Sequence, residues 1–338
     1  MKKRGATRNL FAFFVAGVVC VAWLGAAFAY YALAEMPVAS LPAQFSIKKG
    51  SSLRSAAAQM AAAGVLRHPE LFVLLGRLMG KATTLKAGFY ELDQRVTPLS
   101  LLRKITLGDY TLVSVTLVEG WTFRQVRKAL AGEAGIQQEI RELSDAEVAQ
   151  RLGIEHPSPE GWFFPDTYNF NHGTSDLRIL SRAHALMKSH LAAQWERRAE
   201  NLPFASPYEA LILASIIEKE TAKPDERRLI AAVFVNRLRA GMRLQTDPTV
   251  IYGLGEAFDG NLRRADLLAD TAWNTYTRQG LPPTPIAMPG LASLAAALTP
   301  AASDALYFVA KGDGSHQFSR SLGEHDRAVT KYQKSGRR

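Results

Sequence analysis

Hydrophobic and polar positions divide the chain into stretches of different period. Residues 10–34 (LFAFFVAGVVCVAWLGAAFAYYALA) carry no charge. As an α-helix rising about 1.5 Å per residue, this run reaches roughly 37 Å, beyond the ~30 Å hydrocarbon core of a bilayer, which predicts a transmembrane helix. Lys2, Lys3, Arg4 and Arg8 precede it with no acidic residue. Positive charge is retained on the cytoplasmic side, so residues 1–9 form a cytoplasmic tail and everything after Glu35 lies outside. The run is longer than the apolar core of a signal peptide, and no small-x-small cleavage site follows closely, which predicts an uncleaved anchor. Cys20 sits mid-span behind Val19, where a lipidation signal wants a small residue, so its predicted role is packing in the membrane.

Beyond the anchor, Pro37 and Pro42 disfavour helix, and residues 35–44 read as an extended linker. Alternation at 45–50 (FSIKKG) predicts a strand. Ser51 and Ser52 can cap a helix carrying Leu53, Ala57, Met60 and Ala61 at helical spacing, which Gly64 stops. A second helix follows Pro69, and 86–92 (KAGFYEL) reads as a second strand. Alternation at 111–117 (TLVSVTL) predicts another strand, leading to a helix through Val126 and Leu130. The polar stretch onward to Arg151 reads as helical until Pro157 and Pro159 break it. Residues 160–168 (EGWFFPDTY) are a loop-and-strand segment dense in aromatics, and 175–200 a long helix with Ile179, Leu180, Ala183, Leu186 and Met187 on one stripe.

Composition narrows the picture. The 338 residues are 47% hydrophobic and 21% charged, enough apolar surface for two domain cores. Net charge is +10, which permits an acidic polymer or membrane as partner; the basic residues are dispersed, which argues against nucleic acid. A single cysteine excludes an intramolecular disulfide. Seven scattered histidines without a ligand spacing such as H-E-x-x-H predict no metal, and no phosphate cradle or Schiff-base site marks a cofactor. The S-x-x-K match at 46–49 lacks its S-D-N and K-T-G companions and is a chance match.

The informative chemistry lies at 208–255. A helix over 207–221 is apolar nearly all round until Glu218, Lys219 and Glu220 end it, so it delivers carboxylates into the protein. At about 100° per residue, Glu218 shares a face with Leu211, Ala214 and Ser215, whereas Glu220 points roughly 200° away. The two cannot serve one bond together, and periodicity does not tell which of them is catalytic; structural ion pairing is the competing role. A helix over 225–240 follows Pro224 and stops at Gly241, with Asn236 and Arg237 interrupting its apolar pattern. Residues 245–249 (QTDPT) form a polar loop with the amide, hydroxyl and carboxylate groups that sugar hydroxyls and acetamides require.

ASIIEKET at 214–221, NRL at 236–238, LQTDPTVIYG at 244–253, NTY at 274–276, GLPP at 280–283 and PI at 285–286 together resemble the YceG-like family of endolytic murein transglycosylases. The resemblance extends over EGWFFPDTY at 160–168, LYFVA at 306–310, GSHQF at 314–318 and His325. One position departs: Trp273 stands where the family pattern has Tyr. The strand–helix–helix–strand order after the anchor resembles a LysM-like module. The fold class expected is therefore α+β, with a single transmembrane helix at 10–34, a LysM-like subdomain at 45–110 and a YceG-like mixed α/β catalytic domain at 111–335.

The resemblance implies cleavage of the β-1,4 bond between N-acetylmuramic acid and N-acetylglucosamine in nascent peptidoglycan glycan strands, leaving 1,6-anhydromuramoyl ends. It places the catalytic glutamate at Glu218. A single carboxyl suffices, first protonating the glycosidic oxygen and then taking the proton of the muramoyl C6 hydroxyl, which attacks C1. An ordinary glycosidase needs a second carboxylate; Glu220 points away from Glu218, leaving Asp247 or Glu160 as partners that folding would have to supply. Gln245, Thr246 and Asp247 are the expected hydrogen-bonding neighbours, and Asn274 and Tyr276 the glycan wall; His316 and His325 are weaker candidates for binding substrate. The implied setting is the inner membrane, with the catalytic domain periplasmic and peptidoglycan synthases as partners. The alternative is a membrane-tethered scaffold that binds peptidoglycan without cleaving it.

Overall fold

A computed structural model describes residues 3–38, 41–108 and 112–334. Lys2, part of the linker and Thr111 of the expected strand lie outside the described residues. The chain divides into two compact units, one of Met1–Val113 with Phe170–His172 and one of Ser114–Asn169 with Gly173–Arg338.

The first unit begins with α1 (Lys3–Leu33), whose segment Phe14–Leu33 is long and apolar enough to cross a membrane. Phe14, Trp23 and Leu24 are exposed along it. There follow β1 (Ala43–Ile47), α2 (Leu53–Ala62), α3 (Pro69–Leu78), β2 (Gly88–Leu92) and α4 (Pro98–Leu107). β1 turns Ala43, Phe45 and Ile47 inward and Gln44 and Ser46 outward, the period-two pattern of a strand with one buried face. It pairs antiparallel with β2, setting Phe45 opposite Tyr90, and the two rings stack at 5.3 Å. Ser52 caps α2 by accepting the Ser55 N–H, as its sequence position suggests. The β–α–α–β order thus forms, around a core of Ala56, Met60, Phe72, Leu101 and Ile105. Helix α4 adds to it an element that the four-element reading lacked. Thr97 and Ser100 close a capping box at its start, and Gly108, at φ 80°, ends it in the left-handed region open to glycine.

The second unit contains most of β3 (Leu112–Thr116), then α5 (Phe123–Gly132), β4 (Ile136–Gln137), α6 (Asp145–Arg151), most of β5 (Thr167–Asn171), β6 (Thr174–Ser175) and α7 (Asp176–Glu196). The polar stretch expected to stay helical to Arg151 is interrupted. The chain turns extended at Glu133, pairs β4 in parallel with β6, and re-enters helix only where Ser144 and Glu147 form a capping box. Next come α8 (Pro207–Glu220), α9 (Pro224–Arg239), α10 (Asp247–Leu254), α11 (Arg264–Leu268), α12 (Leu291–Leu298), the antiparallel hairpin β7 (Tyr307–Ala310) and β8 (His316–Ser319), and α13 (Leu322–Val329). Part of the expected polar loop at 245–249 is therefore helix, starting at Asp247 with Pro248 in its first turn, where a missing N–H costs nothing.

Helix α8 is the axis of this unit. Residues from Ala210 to Ile217 are all buried along it, and it packs against α7, α9, α10 and α12. A helix apolar on every side needs neighbours on every side. Ser215, polar in the middle of that run, donates to the Ile212 carbonyl at 2.7 Å and accepts the Ile286 N–H at 2.9 Å, so its burial leaves nothing unpaired.

Candidate active site

The last turn of α8 sends its two glutamates to different places. Glu218 accepts the Gly290 N–H at 3.0 Å, and its other oxygen lies 3.9 Å from Arg227, both side chains being largely buried at 7% and 13% exposure. The Glu119 carboxyl is raised above its ordinary range, first by burial and then by repulsion from Glu218, with Arg227 opposing. Glu218 is thus fitted into an ion-pair cluster that ties α8 to the loop before α12.

Glu220 opens onto a cleft of about 420 Å³ lined by Arg237, Gln245, Thr246, Asp247, Tyr276, Tyr307, His316 and His325. Its carboxylate accepts the Thr246 hydroxyl. Burial pushes its pKa up to about 7; Asp247 adds to the rise, while the Thr246 bond, His316 and Arg237 pull against it. Four of the residues expected to surround the catalytic carboxyl, Gln245, Thr246, Asp247 and Tyr276, are therefore gathered round Glu220. None of them lies with Glu218, and the expectation that set Glu218 among them is corrected. Both directions follow from one helical rotation, but which of them meets a cleft is decided by the elements packed on each side.

The cleft floor is held by backbone contacts from distant segments. Gln245, exposed and at φ 53°, donates its N–H to the Thr275 carbonyl at 3.2 Å, and the Thr246 N–H reaches the Thr275 hydroxyl at 3.1 Å. Tyr276 donates its hydroxyl to Asp247 at 2.6 Å; burial and that carboxylate both raise its pKa. Arg237 is buried, donating to the Leu306 carbonyl at 2.7 Å and the Leu244 carbonyl at 2.8 Å, with its guanidinium 5.1 Å from the Tyr307 ring centre. Sequence reasoning met Arg237 only as an interruption of an apolar pattern. A cation on a buried helix face was the available signal.

Asn274 is not a wall of the cleft. It is fully buried, its amide donating to the carbonyls of Asp266, Leu267 and Ala269 and its oxygen accepting the Tyr276 N–H at 2.8 Å. Every polar atom of the side chain goes to backbone, so Asn274 shapes the loop that presents Tyr276. Glu160 is likewise committed elsewhere. It accepts the Phe123 N–H at the start of α5 at 3.0 Å and the Tyr252 hydroxyl at 3.1 Å, and burial raises its pKa to about 7. Asp247 is the carboxylate that shares the cleft with Glu220. Trp273 donates its indole N–H to Thr284 at 2.9 Å and meets the Tyr252 ring edge-on at 5.5 Å. Among the described residues, no group of three or more His, Cys, Asp and Glu is arranged to hold a metal ion.

A half-buried carboxyl pushed up to about 7, in a cleft of hydroxyl, amide and carboxylate groups, can do acid–base chemistry on a polar substrate. The YceG-like family model matches residues 45–331, and the chain belongs to that family. The endolytic murein transglycosylase of Bacillus subtilis (strain 168) is 33% identical over 331 residues, covering 91% of each chain. That of Streptococcus pneumoniae serotype 2 is 27% identical over 85% of this chain and 57% of its own length. The crystal structure of a YceG-like protein from Listeria monocytogenes superposes with a TM-score of 0.55 at 29% identity, covering 84% of this chain and 97% of that one.

Proposed function

We propose that this protein is an endolytic murein transglycosylase whose acid–base group is Glu220. It cleaves the β-1,4 bond between N-acetylmuramic acid and N-acetylglucosamine within nascent strands and leaves 1,6-anhydromuramoyl ends. The observation that carries the assignment is the placement of the half-buried Glu220 carboxyl in the cleft formed by Gln245, Thr246, Asp247 and Tyr276. A pKa near 7 suits one group to both halves of the reaction. Protonated Glu220 gives its proton to the glycosidic oxygen as the C1–O bond breaks. The resulting carboxylate takes the proton of the C6 hydroxyl as that oxygen closes on C1, which restores the acid and consumes no water. Thr246 orients the carboxyl, and Tyr276, Asp247 and Gln245 offer hydrogen bonds to sugar hydroxyls and acetamides.

The rest of the chain fits this role. An apolar α1 anchors the protein in the inner membrane with its basic N-terminus cytoplasmic and the cleft periplasmic, where peptidoglycan synthases deliver new strands. The β–α–α–β unit acts as a LysM-like glycan-binding module. The test is mass spectrometry of uncrosslinked glycan strands digested by the full chain in detergent. Anhydromuramoyl ends are expected; reducing ends would assign a hydrolase using Asp247, and intact strands a scaffold.

A further inference from the structure

His316 stands in the cleft with a partner behind it. Glu226, in the first turn of α9, accepts the His316 backbone N–H at 2.9 Å and binds ring Nδ1 at 2.7 Å. Burial opposes ionisation of Glu226, but its bonds from the His316 side chain and backbone outweigh this and hold its pKa below the usual carboxylate range. An ionised carboxylate only accepts, so the proton on that edge of the ring belongs to Nδ1. Nε2, on the far edge, is the ring nitrogen that Glu226 leaves free of its own contact. The ring lines the same cleft as Glu220 and is fixed edge-on to Phe308 at 5.4 Å.

The other charges around Glu220 are already committed. Arg237 is spent on the Leu306 and Leu244 carbonyls, and Asp247 takes the Tyr276 hydroxyl. His325 stacks on Tyr307 at 5.3 Å, and burial lowers its pKa, favouring the neutral ring. Lys223, just ahead of α9, acts on Glu226. His316, held by Glu226, is the cleft group left to act on Glu220 directly, and its charge lowers the Glu220 pKa.

We propose that the Glu226–His316 pair is a positioning device for the reaction: the imidazolium of His316, oriented by Glu226, shares the cleft with Glu220 and favours its carboxylate, the form that must take the C6 hydroxyl proton. The proposal rests on Glu220 as the acid–base group. His316 acts through Glu220, so its signature is a displaced pH profile.

The experiment is the pH dependence of kcat/KM on uncrosslinked glycan strands, with the full chain in detergent micelles, for wild type, His316→Gln, His316→Lys and Glu226→Gln. Removing the positive charge raises the pKa of Glu220, so His316→Gln moves the alkaline limb up by about 0.5–1 pH unit. Its ratio of activity at pH 8 to pH 6 rises about three- to tenfold over wild type. Lysine at 316 keeps the charge, and its limb stays within about 0.2 unit of wild type on the same reasoning. Glu226→Gln weakens the hold on the imidazolium and moves the limb upward, as His316→Gln does. An unmoved limb in both neutralising variants, or equal losses at every pH in His316→Gln and His316→Lys, would overturn the proposal and leave His316 a packing residue. Turnover by Glu220→Gln in the same assay would instead overturn the assignment of Glu220.

Discussion

Glu218 and Glu220 are two residues apart on one helix turn, yet they occupy opposite kinds of surroundings. Glu218 is satisfied by a backbone N–H and a nearby guanidinium. Glu220 has one hydroxyl partner and a half-buried position whose partial loss of solvent works against its charge. A carboxylate met by a backbone N–H and a guanidinium is held in place, whereas a half-buried one with a single hydroxyl partner is pushed up to about 7 and can give and take a proton near neutral pH. Burial of a carboxyl is therefore no sign of function by itself; what else meets it decides the matter.

The sharpest way to break this comparison is to substitute each carboxylate by its amide. Glu220→Gln should reduce turnover by about 10³-fold, within the range of a lost general acid. It should also stabilise the protein at alkaline pH. A carboxyl whose pKa rises from 4.5 unfolded to about 7 folded contributes stability that is full below pH 4.5 and lost as pH rises through 7. The amide escapes that loss, so the variant should gain up to about 3 kcal/mol at pH 8 and little at pH 4, as read by denaturant unfolding at the two pH values.

Next in size is Asn274→Ala, which strips three carbonyls and one N–H of their partner and should cost about 3 kcal/mol of stability. Tyr276→Phe removes the hydroxyl bonded to Asp247 and should lower kcat/KM about tenfold with the fold intact, the size of one hydrogen bond to a charged group. The smallest effect is expected at Glu218→Gln. Its amide oxygen can still accept the Gly290 N–H, and loss of the Arg227 contact is offset by relief of repulsion with Glu119. The stability loss, read by thermal unfolding, should be smaller than that of Asn274→Ala.

Much of the fold was legible because its signals are local. Ser52 and Thr122 cap helices where a hydroxyl precedes an apolar run, Pro224 opens α9, and β1 alternates as its residues do. The break between α5 and α6 was not legible, because β4 exists only through pairing with β6, Ile136 opposite Thr174 far along the chain. The site was half legible. The QTD segment at 245–247 announced its polar groups, and helical periodicity separated the two glutamates correctly. Choosing between them required knowing that the loop before α12 covers Glu218 while the β7–β8 hairpin and α10 frame Glu220. Asn274 misled because an asparagine in a turn bonds its own backbone as readily as a ligand.

The most direct test of the central claim is to digest uncrosslinked glycan strands with Glu218→Gln and Glu220→Gln side by side, counting anhydromuramoyl ends per unit time. Near-normal release by Glu218→Gln with none by Glu220→Gln is the predicted result. Release by Glu220→Gln and silence from a folded Glu218→Gln would contradict it and return the catalytic proton to Glu218.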